Sequence, residues 1–193
     1  MSRSKPTRLR QENREWSQAA LQNAPNQAYI AVELANNYVA LGEIEQAIEV
    51  LVATLERSPR DTSVLFSLGS AHTRSGNMDR AFEYFRRCLD VDVDNVLCLS
   101  YMGGLQWMDG DFVTAAVNLE RAITLGSQDP DDFYQLGHSH ASLGRCDLAV
   151  PYLQQGYQIV LERDDARRQA LLASALQSCG APTAVRPASS DAQ

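Results

Sequence analysis

One lysine stands among 17 basic residues, and no apolar run approaches the roughly 20 residues that cross a bilayer. The second shortage excludes a membrane-spanning helix. The first, arginine in place of lysine, is the composition of a GC-rich and therefore bacterial genome. The basic N-terminus, MSRSKPTRLRQENREW, has no apolar core after it, so a secretory signal is not expected and the default placement is cytoplasmic. Aromatic residues make up only 7% of the chain. Alanine and leucine supply most of the 45% hydrophobic content, which favours helix. The four cysteines, Cys88, Cys98, Cys146 and Cys179, form no CxxC pair and no metal-ligand spacing. They are expected to be reduced thiols packed as small hydrophobes. No glycine-rich phosphate loop, Ser/His/Asp order or paired acid stands out. The expectation is therefore no enzyme, no cofactor and no metal.

Charge is unevenly placed. Residues 1–27 hold five basic and two acidic groups, whereas residues 28–163 hold nine basic and 19 acidic ones. Neutralising nucleic acid phosphates with Lys and Arg supplies most of the affinity in such complexes, so an acidic body argues against a nucleic acid partner.

What is present is a repeat. LGEIEQAIEVL (41–51), SGNMDRAFEYF (75–85), DGDFVTAAVNL (109–119) and LGRCDLAVPYL (143–153) recur at one spacing. Gly42, Gly76, Gly110 and Gly144 are 34 residues apart, and so are Ala47, Ala81, Ala115 and Ala149. Earlier in each unit come Leu34-Ala35, Leu68-Gly69, Met102-Gly103 and Leu136-Gly137, then Tyr38, His72, Gln106 and His140. Leu51, Phe85, Leu119 and Leu153 follow four places after each alanine, and Pro59 closes the first unit. This pattern resembles the tetratricopeptide repeat, a 34-residue pair of antiparallel helices. The resemblance covers four repeats, 28–61, 62–95, 96–129 and 130–163. It implies an all-α, right-handed superhelical solenoid of antiparallel helix pairs. A stacked array leaves an apolar face at each end, so caps are expected.

A basic arm and N-terminal capping helix are read over residues 1–27, with the helix over 8–23 and Trp16 on its apolar side. Residues 1–7 read as disordered. A C-terminal capping helix is read over 164–180, with Arg167-Arg168 on a solvent-facing side and Gly180 as its stop. Residues 181–193 have the composition of a disordered tail.

In the family that the repeats resemble, partners lie in a concave groove lined by the first helices. With the Leu, Gly and Tyr places turned to the core, helical geometry turns another set of residues toward that groove. In repeat one these include Tyr29, Val32 and Asn36, and in repeat two Phe66, Ser70 and Arg74. Repeat three offers Gly104, Trp107 and Met108, and repeat four Tyr134 and His138. Phe66, Trp107 and Tyr134, one per repeat, are the expected anchors, because Trp and Tyr dominate binding hot spots. None of the three is expected to carry interhelix packing. Some family members bind a chaperone's C-terminal carboxylate through paired basic and Asn residues. Here only Asn36 fits that clamp, Val32 replaces its first lysine, and repeat three lacks the basic pair.

His138 and His140, two apart on a helix, face opposite ways and do not make a metal site. The carboxylates of Asp129, Asp131 and Asp132 suit a helix N-terminus. The expected function is a non-enzymatic adaptor or chaperone that holds a protein or peptide with an apolar segment. The alternative is a self-assembling scaffold, a homo-oligomer whose basic N-terminal helix enters the groove of the next copy.

Overall fold

Each turn between paired helices is only two or three residues long, and glycine makes that turn possible. Gly42, Gly76, Gly110 and Gly144 all have φ between 73° and 82°, the left-handed region that only glycine enters without cost. The residue after each glycine closes the helix behind it. Backbone N–H groups of Glu43, Asn77, Asp111 and Arg145 donate to the carbonyls of Tyr38, His72, Gln106 and His140, each at 2.9 Å. This satisfies a carbonyl that would otherwise be orphaned. Asn77 and Asp111 also open the next helix, their side chains accepting from the N–H of Arg80 and Thr114 at 3.2 Å.

The computed structural model describes residues 5–23 and 27–183. Ten helices lie among them: α1 (Lys5–Asn23), α2 (Ala28–Leu41), α3 (Ile44–Arg57), α4 (Thr62–Ser75), α5 (Met78–Val91), α6 (Val96–Asp109), α7 (Phe112–Thr124), α8 (Pro130–Ser142), α9 (Cys146–Glu162) and α10 (Ala166–Ser178). No strand occurs among the described residues. The starts of α2, α4, α6 and α8 recur every 34 residues, and consecutive helices pack as pairs. None of these helices is long and apolar enough to cross a membrane. The chain divides into two compact units, residues 1–98 and 99–193.

In the first unit, the crossing of α4 and α5 leaves no room at Gly69. A Cβ there would lie 2.5 Å from the ring of Phe85. Ala35 and Leu51 hold the same two places one repeat earlier, and both are buried. Leu34, Leu65 and Leu68 complete this core. His72 stacks on Tyr84 with ring centroids 5.4 Å apart. Helix α1 packs on α2. Arg14 reaches Glu43 at 3.0 Å, and the Gln18 side chain meets the Tyr38 hydroxyl.

The second unit repeats the crossing. A Cβ at Gly103 would lie 2.6 Å from Leu119, and one at Gly137 2.4 Å from Leu153. His140 is buried and stacks on Tyr152, whose hydroxyl donates to Glu120 at 2.8 Å. Helix α10 buries Leu172 and Leu176 with Ala149, Leu153 and Val160 of α9. Gly156 supplies the gap into which Phe133 and Leu172 pack. Helix α9 runs unbroken through Pro151.

Several expectations need correction. Cys88 pairs with Cys98, and Cys146 with Cys179, so none of the four is a free thiol. Sequence spacing hides the first pair because helix packing brings α5 against the first turn of α6. The second arises because α10 folds back along α9. Trp16 is 78% exposed, since α1 turns Gln18 and Arg14 toward α2 and the turn before α3. Helix α1 begins at Lys5, so residues 5–7 are helical. Arg168 does not face open solvent: it is half-buried and holds Asp131 at 2.6 Å and Asp165 at 2.7 Å. The tail expected over 181–193 lies, beyond Thr183, outside the described residues, as do residues 1–4.

This packing sets two glycine substitutions against each other. Gly69→Trp should abolish the cooperative native state or cost more than the ~3 kcal/mol typical of overpacking, because even its Cβ collides with a buried ring. Gly104→Ala should be neutral or stabilising, since glycine costs a helix about 1 kcal/mol relative to alanine and the nearest atom, at 3.3 Å, ends the flexible Gln135 side chain. Thermal melts of the two variants check the contrast, and equal melting temperatures would refute this packing.

Two histidines, His140 buried and His72 half-buried, make stability depend on pH. Burial lowers the pKa of His72, with nearby Arg80 adding to the effect and Glu83 opposing it. Burial also lowers that of His140, where Glu120 opposes and Arg145 reinforces it. The unfolded chain then takes up protons that the folded chain resists. Stability should be complete above the ordinary histidine value of 6.5 and decline as pH falls through it towards the lower folded values. Urea midpoints at pH 7.5 and pH 5 test this, and the difference should shrink in His72→Phe/His140→Phe. An unchanged pH difference in that variant would assign the dependence to other groups.

Candidate functional site

Four aromatic rings meet in the second unit. Trp107 of α6 lies 5.9 Å from Tyr134 and 5.5 Å from His138 of α8, both edge-on. Phe112, the first residue of α7, adds a ring 5.7 Å from His138. The Trp107 indole N–H donates to His138 Nδ1 at 3.1 Å. That bond makes Nδ1 an acceptor, so the neutral His138 ring carries its proton on Nε2. Ser142 Oγ approaches the same nitrogen at 3.3 Å. The Trp107 N–H is thus satisfied within the cluster, and what Trp107 offers outward is ring surface and not a donor.

This geometry changes the roles of two expected anchors. Trp107 and Tyr134 are half-buried and link α6 to α8, so they do carry interhelix packing. Met108, one residue on, is 63% exposed. Gly104 sits one turn before Trp107, and Gln135 already closes over it. In the first unit Tyr29 is 67% exposed, Asn36 and Arg74 are exposed, and Val32 and Ser70 are half-buried. Phe66 is half-buried with its ring 5.9 Å from Phe85, so it too contributes to packing. Met108, Trp107, Tyr134 and His138 are thus brought together in the second unit, and Tyr29, Asn36, Phe66 and Arg74 belong to the first.

The acidic triplet before α8 divides into three tasks. Asp129 caps the helix, accepting from the Asp131 N–H at 3.0 Å. Asp131 pairs with Arg168 of α10 and, with Asp165, pushes the guanidinium pKa upward. Asp132 is only 2% exposed and takes hydrogen bonds from the hydroxyls of Ser100 and Ser127. Burial raises its pKa, the two hydroxyls oppose the rise, and the neighbouring Asp129 and Asp131 add to it. Sequence reasoning read all three as capping carboxylates, and only Asp129 caps. The signal that could have set Asp132 apart is its register: it falls among the buried places of α8, beside Phe133. Its bond from Ser100 makes it a tie between α6 and α8. Among the described residues no group of three or more His, Cys, Asp or Glu could hold a metal ion.

Comparison with known proteins bears on the fold that carries these residues. Residues 32–92 match the family model of the tetratricopeptide repeat. Mouse protein O-mannosyl-transferase TMTC1 is 29% identical over 84 residues, which is 42% of this chain and 9% of that protein. The bovine BBSome complex member BBS4 is 29% identical over 84 residues, 44% of this chain and 16% of that protein. The chain therefore spans only a small part of the curated relatives that it matches. Among solved structures, MamA superposes with a TM-score of 0.67 at 17% identity, covering 85% of this chain and 98% of that one. TTC0263, a thermophilic TPR protein in Thermus thermophilus, gives 0.66 at 20% identity, covering 85% and 89%. YrrB, described as a TPR protein with an unusual peptide-binding site, gives 0.65 at 16% identity over 89% and 86%. The helix pairs and their glycine turns give this chain the all-helical fold of these structures, and residues 32–92 are similar to the tetratricopeptide repeat.

Proposed function

We propose that the chain is a non-enzymatic adaptor or chaperone that holds a protein or peptide through apolar and aromatic residues of its first helices. The observation that carries this reading is the ring cluster of Trp107, Tyr134 and His138 beside exposed Met108. Large rings at these places are not required by the crossing within each pair, where Gly103 meets Leu119 and Gly137 meets Leu153. They supply a half-buried aromatic surface in which the Trp107 N–H is already bonded, the character of a hot-spot anchor. Tyr29, Asn36, Phe66 and Arg74 are the corresponding residues of the first unit. YrrB's description as having a peptide-binding site and the partial sequence similarity to a complex member, BBS4, are in keeping with a protein partner. The acidic body disfavours nucleic acid. The cytoplasmic placement expected from the N-terminus requires reduced thiols. The two disulfides favour an oxidising compartment instead.

The self-assembly reading has one observation in its favour: Trp16, largely exposed on basic α1. If that ring docks on another copy, Trp16→Ala should lower the molar mass measured by light scattering. An unchanged mass would remove this alternative.

The partner-binding reading predicts where a partner touches. A photo-crosslinking residue at Met108 or Tyr29, both already exposed, should capture the partner in the native host. One at Glu49, on the outer face of α3, should not. Met108→Ala should weaken binding of the captured partner by about tenfold, or ~1.4 kcal/mol, with circular dichroism unchanged. Trp107→Ala should also lower thermal stability, because it removes the tie to His138. Capture from Glu49 alone, with Met108→Ala binding normally, would move the site to the second helices.

A further inference from the structure

The two disulfides differ in what they hold and in how a thiol could reach them. Cys88 and Cys98 are both 0% exposed. Cys146 and Cys179 are half-buried. The second pair joins the first residue of α9 to the residue that follows α10, across 33 positions of chain. Helix α10 packs on α9 and α8.

The opposite ends of α10 are held by different means. At its N-terminal end Arg168 bonds Asp131 and Asp165, and Gln169 donates to the Tyr157 hydroxyl at 3.0 Å. Beyond Ala175 and Leu176, the C-terminal end keeps the disulfide and a long 3.4 Å hydrogen bond from Gln154 to the Pro182 carbonyl. Under the helix lie Leu153 and Val160, both fully buried.

We propose that Cys146–Cys179 is a thiol-exchange site that latches the C-terminal cap, whereas Cys88–Cys98 is a permanent internal staple. A thiolate of an incoming dithiol attacks one of the two sulfurs. The S–S bond breaks, the other cysteine leaves as a thiolate and takes up a proton, and a mixed disulfide forms. The second thiol of the reductant attacks that mixed disulfide, leaves as its own cyclic disulfide, and releases the second cysteine. Two electrons and two protons pass to the chain, and one dithiol is oxidised. With the latch open, the last turns of α10 fray from α9 and uncover Leu153, Leu172 and Leu176. Segments with few ties open at the lowest free energy, so the end of α10 beyond Leu176, held by the disulfide and one long hydrogen bond, is the part that responds. The latch acts independently of whatever binds near Trp107.

The test uses the full-length chain purified without reductant. Dithiothreitol is added in native buffer, samples are quenched over time with a maleimide, and the labelled cysteines are identified by peptide mass spectrometry. Cys146 and Cys179 should label at least about tenfold faster than Cys88 and Cys98, following their exposure. Hydrogen exchange on the selectively reduced protein should show lost protection over residues 170–183, with residues 28–98 unchanged. The double variant C146S/C179S should reproduce that exchange pattern without reductant. If it fails to fold, the reduced wild-type chain supplies the same reading. Four free thiols in the protein as purified would overturn the proposal. So would equal labelling of all four cysteines, or selective reduction that leaves α10 as protected as before.

Discussion

Two helices can close to backbone contact only where one of them gives up its side chain, and three of the repeated pairs are built around such a place. Gly69 accepts the ring of Phe85, Gly103 the branched end of Leu119, and Gly137 that of Leu153. Ala35 and Leu51 occupy the corresponding places at the start. A Cβ at any of the three glycines would fall within 2.6 Å of its partner, far inside van der Waals contact. The large residue of the second helix is thereby consumed by the first. Outside that crossing, Trp107 and Tyr134 each pack partly against the buried residues of their own pair and meet each other across α6 and α8.

The same constraint explains why the ends matter. A helix pair buries one side of itself and needs a neighbour for the other. At the N-terminal end α1 meets that need with polar ties, Arg14 to Glu43 and Gln18 to Tyr38. At the C-terminal end α10 uses burial of Leu172 and Leu176, the Arg168–Asp131 pair and a disulfide. Arg14–Glu43 and Arg168–Asp131 are partly exposed, so each contributes little on its own. Apolar burial and the covalent tie therefore dominate at the C-terminal end.

Much of the fold was legible in the residues. A fixed spacing of glycine and alanine is a property of single helices and their turns. Local chemistry therefore determined where α2 to α9 begin and end. The groove positions followed from helical geometry once the core places were known, but their partners did not. Phe66, Trp107 and Tyr134 were expected to be free of packing, yet each meets another ring.

By itself, then, the sequence determined the repeat length, the helix pairs and the tight crossings, all of which depend on contacts within about one 34-residue unit. Only the tertiary structure decided which side chains meet across units of the repeat: Cys88 with Cys98, Trp107 with His138, Ser100 with Asp132, and Asp131 with Arg168. It also decided that Trp16 faces outward. The physical reason is that stacking one helix pair on the next fixes which faces oppose each other. A side chain's partner is then chosen by that geometry, whereas periodicity records only which side of its own helix the residue occupies.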